Sequence, residues 1–100
     1  MDVDIDLRSW PDGGRYRLLV DGEEVGELDY DERDGRRVLA HTGVHRSHRG
    51  HGLAARLVRR ALDDARRDEV RVVPVCWYVV AYLDEHPEDR DLVHRPESGG

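Results

Sequence analysis

Val3, Ile5 and Leu7 alternate with Asp4 and Asp6, a period of two that predicts a half-buried strand. Pro11-Asp12-Gly13-Gly14 reads as a turn, after which Tyr16, Leu18 and Val20 alternate with Arg15, Arg17 and Leu19. Asp21-Gly22 predicts a tight hairpin, and Val25 to Tyr30 the returning strand, closed by the polar turn Asp31 to Gly35. A fourth strand follows from Arg37 to Val44. Strict alternation there puts Val38, Ala40, Thr42 and Val44 on one face and Leu39, His41 and Gly43 on the other.

The period then changes. Leu53, Ala54, Leu57, Val58, Ala61, Leu62 and Ala65 recur at helical spacing, with Arg56, Arg59, Arg60, Asp63 and Asp64 opposite, and Asp68 extending the polar face. Val70 to Val73 is a short β-branched strand stopped by Pro74. Cys76 to Glu85 predicts a second helix, ended by His86-Pro87 because a residue before proline avoids the helical region. The order β-β-β-β-α-β-α defines an α+β single domain. Its sheet is mostly antiparallel, with about five strands, a crossover helix between strands 4 and 5 and a second helix after strand 5. The domain is expected to span residues 1–93, with a disordered tail over 94–100.

With 100 residues the chain has room for one core. Its mean hydropathy is -0.76 and its net charge -6, unevenly spread. Residues 1–34 hold 4 Arg against 12 acids, residues 35–67 hold 9 Arg against Asp63 and Asp64, and residues 68–100 hold 3 Arg against 8 acids. A basic middle within an acidic protein suggests one bound anion, or else an arginine-laced helix face paired with acids. The overall charge argues against a nucleic-acid-gripping surface. The longest apolar stretch, Val72 to Leu83, is broken by Pro74 and falls short of the ~20 residues of a membrane span. Cys76 is the single cysteine. Together with the acidic start MDVDIDLR, it leads to the expectation of a cytoplasmic domain without membrane association.

The strand ending at Val44 runs through His45-Arg46-Ser47-His48-Arg49-Gly50-His51-Gly52-Leu53-Ala54 into the amphipathic helix. A helix start offers unpaired N–H groups and the positive end of its dipole, and glycines let an anion approach them. The same glycines could simply make a tight entry to a helix.

Arg49-Gly50-His51-Gly52-Leu53-Ala54 resembles the R/Q-x-x-G-x-G/A acyl-CoA signature of the GNAT superfamily of acetyl-CoA-dependent N-acetyltransferases. HTGVHRSHRGHGLAARLVRRALDDAR followed by RVVPVCWYVVAYLDEHPEDRDLV is similar, more narrowly, to the short YjdJ-type subgroup, from about Tyr16 to Val93. The resemblance implies an acetyl-CoA (coenzyme A) site. The pyrophosphate would lie on Arg49, Gly50, His51, Gly52, Leu53 and Ala54, the pantetheine along Thr42, Gly43 and Val44, and the thioester between His41 and Cys76. Arg46 and Arg56 are candidates for the 3′-phosphate.

At a helix N-terminus the Cys76 thiol pKa can fall to about 3.5–7.5, which suits an acetyl acceptor or a proton donor to the departing thiolate. The resemblance places His41 in the same region, where it would take a proton from Cys76 or from the acceptor amine. A buried cysteine acting as a small apolar residue, and a satisfied strand histidine, are the plain alternatives. Many members of the family use a tyrosine of the second helix as the acid, which brings in Tyr78 and Tyr82, each also readable as a core aromatic. Trp77 and Trp10 read as packing or edge residues. Two departures stand out. The first two strands are joined only by Ser9 to Gly14, where the family carries helices that wall the acceptor site, and Asp89-Arg90 replaces an aromatic, which implies a looser C-terminal contact.

The leading expectation is therefore transfer of acetyl to an unidentified amine, a protein or peptide amine among the candidates. A non-catalytic acyl-CoA-binding module is the alternative. His41, His45, His48 and His51 offer a third reading as metal ligands, and nucleic-acid binding by the arginine-rich helix ranks last.

Overall fold

The computed structural model describes residues 1–95. Five strands, β1 (Val3–Trp10), β2 (Gly13–Val20), β3 (Glu23–Arg33), β4 (Arg36–Val44) and β5 (Arg71–Pro74), form one sheet in the order β1-β2-β3-β4-β5. Neighbours are antiparallel except β4 and β5, which run parallel around the crossover helix α1 (Leu53–Arg67). Helix α2 (Trp77–Glu85) follows β5. Two 3-10 turns that no pattern announced, Arg46–His48 and Pro87–Leu92, complete the chain. No helix among the described residues is long and apolar enough to cross a membrane.

The hairpins form where the sequence places left-handed residues. Asp21-Gly22 and Asp34-Gly35 both have positive φ, which lets a two-residue turn follow the strands' right-handed twist. The second hairpin is tighter than expected, so β3 and β4 run on through most of the expected polar turn. Both helices pack on one face of the sheet, and a single core joins Tyr16, Leu18, Leu28 and Leu39 to Leu57, Leu62 and Val79. The other face carries no helix.

Strand β4 departs from simple alternation. Asp29 pairs with His41 and Tyr30 with Leu39, so Ala40 is a bulge residue without a partner. The bulge shifts the faces by one residue. Leu39 is buried with Thr42 and Val44 on the helix side, while Val38, His41 and Gly43 face outward.

Asp64, expected on the polar face of α1, is 5% exposed. It accepts hydrogen bonds from Tyr16 Oη (2.7 Å), Arg60 Nε (3.1 Å) and Arg67 (3.2 Å). Asp89 is likewise buried, clamped by Arg59 and Arg66. The C-terminal contact is thus held by ion pairs in place of an aromatic. Beyond it Val93 bridges Val72, and the His94 amide donates to Val72 O (2.8 Å), so the first residue of the expected tail is tied to β5. Residues 96–100 of that tail lie outside the described residues.

The hydrogen bonds from Arg59 outweigh burial and hold the Asp89 carboxyl below the usual carboxylate range. A carboxyl lower in the folded than in the unfolded state stabilises fully above about pH 4, and that stabilisation fades as pH falls through the folded value. Asp89→Asn is expected to cost about 1–3 kcal/mol in urea unfolding at pH 7. The difference from wild type should shrink on acidification, and equal stabilities at pH 7 would refute the clamp.

Candidate functional site

The parallel pairing of β4 with β5 lasts only from Arg36↔Arg71 to Leu39↔Pro74. Pro74 cannot donate, and the next two amides, Val75 N (3.1 Å) and Cys76 N (3.0 Å), both converge on Leu39 O as the chain turns into α2. From Ala40 to Val44 the edge of β4 therefore has no neighbouring strand. A groove of about 450 Å³ opens beside it, floored by Thr42, Gly43 and Val44 and closed at one end by Arg49, Gly50, Gly52, Leu53 and Ala54. Trp77, Tyr78 and His48 complete its wall.

The closed end has the features of an anion cradle. Gly52, the N-cap of α1, has φ +71° and makes no side-chain cap, and the first turn contains no acid. Gly50 has φ +88°, and a Cβ built on either glycine would meet nothing within 4 Å. These glycines are thus required by their left-handed backbone and leave open space in front of the uncapped amides of Leu53, Ala54 and Ala55. The arginines divide accordingly. Arg59, Arg60, Arg66 and Arg67 are all paired with carboxylates, as the paired-helix-face reading holds. Arg46, Arg49 and Arg56, around the start of α1, have no carboxylate partner among the described residues. Arg49 Nε instead donates to Val44 O at 3.1 Å, bracing the loop against the end of β4.

The residues expected to bind the pyrophosphate and pantetheine line this groove except His51, which is exposed in the turn; Arg46 and Arg56, the 3′-phosphate candidates, lie outside its lining. Cys76 does not line it. It occupies the N-cap of α2, 8% exposed, beside Thr42. Burial pushes its thiol pKa up, but the amides of Val79 and Tyr78 and the hydroxyl and amide of Thr42 together bring it below the ordinary value. The thiol does not form a capping bond to α2, and Thr42 Oγ1 is buried with no full hydrogen-bond partner.

His41 is not near this thiol. The bulge at Ala40 turns it to the outer face, where its Nε2 lies 2.9 Å from Glu27 Oε2. The expected placement of a thioester between His41 and Cys76 on one side of the sheet is thus corrected. The two tyrosines also part: Tyr78 lines the groove, its hydroxyl pKa raised by burial, whereas Tyr82 Oη accepts from Arg59 and its ring stacks on His86. Trp77, expected to pack, is 78% exposed and forms part of the groove wall. His45, Ser47 and His48 hydrogen-bond among themselves, and no cluster of three or more His, Cys, Asp or Glu among the described residues is arranged to hold a metal.

A glycine-rich strand-loop-helix turn beside a splayed parallel pair defines an N-acetyltransferase-type fold. The chain belongs to the GCN5-related N-acetyl-transferase family, which it matches over residues 15–92. It is 36% identical over 62 residues to protein NATD1 of Gallus gallus, covering 60% of this chain and 56% of that protein. The Danio rerio NATD1 is 30% identical over 80 residues, covering 80% and 66%. The chain thus spans about half to two thirds of these relatives.

Among solved structures, a ribosomal-protein-alanine N-acetyltransferase from Brucella melitensis superposes with TM-score 0.66 at 19% identity, covering 99% of this chain and 96% of that one. A protein of Bacillus anthracis described as a streptothricin acetyltransferase, solved with acetyl coenzyme A, gives 0.59 at 15% identity, covering 81% and 49%. These likenesses establish a shared fold.

The unpartnered Thr42 hydroxyl generates a test. Thr42→Val removes a buried group that gains nothing in the folded chain, so unfolding free energy is expected to stay level or rise by about 1 kcal/mol. A clear loss of stability by calorimetry would mean that the hydroxyl is bonded after all.

Proposed function

We propose that the groove binds acetyl-CoA and that the protein transfers the acetyl group to an amine. The observation that carries this is the uncapped, acid-free start of α1 opening onto the unpaired edge of β4. The residues present fit the molecule. Space lies in front of Gly50 and Gly52, Arg49 lines the cradle without an acid partner, and an orphaned hydroxyl waits at Thr42. The amides of Leu53, Ala54 and Ala55, with Arg49, would hold the diphosphate, each charge gaining about 0.3–1 kcal/mol from the helix terminus. Arg46 and Arg56 are within the same basic region for the 3′-phosphate. The backbone of Thr42 to Val44 would pair with the amide-bearing arm as an added strand. When bound, acetyl-CoA supplies a thioester whose acyl carbon is attacked by an amine, the new C–N bond replacing C–S. Cys76, behind Thr42 at the start of α2 with its thiol held below the usual pKa, is the proton donor on that side. The bacterial structure solved with acetyl coenzyme A supports the same reading through its fold. We assign the protein to the cytoplasm, where this cofactor is made available.

A second reading is favoured by one feature. The β1–β2 connection is only the Pro11-Asp12 turn, so no helix walls an acceptor pocket, which suits a module that binds acyl-CoA without turnover.

Gly52→Asp is the sharpest test of the site. Aspartate tolerates a positive φ and is a good N-cap, so the variant should fold, while its carboxylate occupies the position of the diphosphate. Calorimetric titration is expected to show CoA binding to wild type and none to the variant, and equal affinities would refute the assignment. With acetyl-CoA and an amine, Cys76→Ala should slow turnover with CoA affinity kept. Tight binding without transfer to any amine would establish the second reading.

A further inference from the structure

We propose that two copies of this chain pair along the free edge of β1, antiparallel about a two-fold axis at Asp6, and so join their five-stranded sheets into one. Strand β1 ends the sheet order and has no second neighbour. It runs for eight residues, contains no proline, and pairs with β2 without a register shift from Val3↔Val20 to Trp10↔Gly13. Edges that stay unpaired are commonly kept short, bulged or broken by proline, and β1 has none of these devices.

The backbone is set for pairing. Asp2 O accepts the Asp21 amide at 2.8 Å, so in the alternation of an antiparallel ladder the even residues of β1 turn toward β2. Val3, Ile5, Leu7 and Ser9 then turn their amides and carbonyls outward, in agreement with the bond from Arg60 Nη1 to Ile5 O at 3.2 Å. That carbonyl keeps a second lone pair for a strand laid alongside.

Side chains select the register. Asp4 and Arg8 are exposed and neither has an ion-pair partner among the described residues, whereas Asp6 between them is held by Arg17 at 2.6 Å. With Asp6 opposite the partner's Asp6, each Asp4 stands opposite the partner's Arg8, and the carboxylates at the axis are already neutralised. On the helix side the same register sets Ile5 opposite the partner's Leu7, a residue 36% exposed in the single chain. The depression of about 460 Å³ bordered by Ile5, Ala55, Arg56 and Arg60 lies on that side and gives the added leucine room.

Other registers lose these contacts. A slip of one residue sets Ile5 opposite the partner's Asp6 or the partner's Arg8. A slip of two leaves Asp4 facing the partner's Asp6 or the partner's Trp10, without a cation. The pattern is its own complement, which commits the edge to a second copy. The groove beside β4 lies toward the other end of the sheet, so pairing at β1 leaves both grooves open. One strand and its flanking side chains make a small interface, so the dimer should dissociate on dilution.

Sedimentation equilibrium of the whole chain, from low micromolar to near-millimolar, is the test. Wild type is expected to approach twice the 11.5 kDa chain mass at the upper end and the chain mass on dilution, with association weakened by salt. Asp4→Arg and Arg8→Asp each set like charges opposite one another and should remain at the chain mass, thermal unfolding showing that both stay folded. Mixed in equal amounts, the two variants regain both pairs and should associate again, as should the chain carrying both reversals. A wild type at the chain mass throughout, a dimer indifferent to either reversal, or a mixture that fails to associate would overturn the proposal.

Discussion

The fork at Leu39 is the constraint on which the site depends. One carbonyl accepts two successive amides, Val75 and Cys76, because Pro74 ends the parallel ladder and the chain must turn. Had β5 continued beside β4, the backbone groups from Ala40 to Val44 would be consumed by further rungs of pairing. Instead they border a groove, and the same turn delivers the start of α2, with Trp77 and Tyr78, to its wall. The Ala40 bulge falls at the same level, where the strand is released from one neighbour and bends.

Charge is sorted along α1 in a way that sharpens the site. Toward its C-terminus, carboxylates at Asp63, Asp64, Asp68, Asp89 and Asp91 absorb the arginines and bind the helix to the sheet and to the final turn. Toward its N-terminus no acid is available, so the helix dipole and Arg46, Arg49 and Arg56 act in the same direction. A uniformly paired helix would present a neutral entrance. This one concentrates its uncompensated positive charge at the groove.

Much of this was legible in the residues. Asp-Gly turns and period-two alternation located the hairpins, the helical stripe located α1, and the glycine-rich loop located the cradle. What escaped has identifiable causes. A bulge adds one residue without any compositional mark, so alternation carried past Ala40 put Leu39 opposite Thr42 and Val44, while a place for His41 beside Cys76 was what the resemblance implied. The burial of Asp64 escaped because Tyr16 lies 48 positions away, and the Asp89 clamp because Arg59 and Arg66 lie 30 and 23 positions away, so only the fold assembles them. His48 and Trp77 line the groove through the short 3-10 turn and the exposed start of α2, neither of which leaves a periodic signal.

The corrected placement of His41 changes what kind of catalyst this scaffold can be. A histidine and a cysteine on the same side would form a nucleophile–base pair, with the imidazole drawing the proton from the thiol. Here the sheet separates them, and His41 is bound to Glu27 instead. Activation of Cys76 is left to the amides of α2 and to Thr42, which tune its pKa without removing its proton. The two residues therefore cannot act as one pair, since the thiol sits among the core residues on the helix side of the sheet and the imidazole on the outer face beside Glu27.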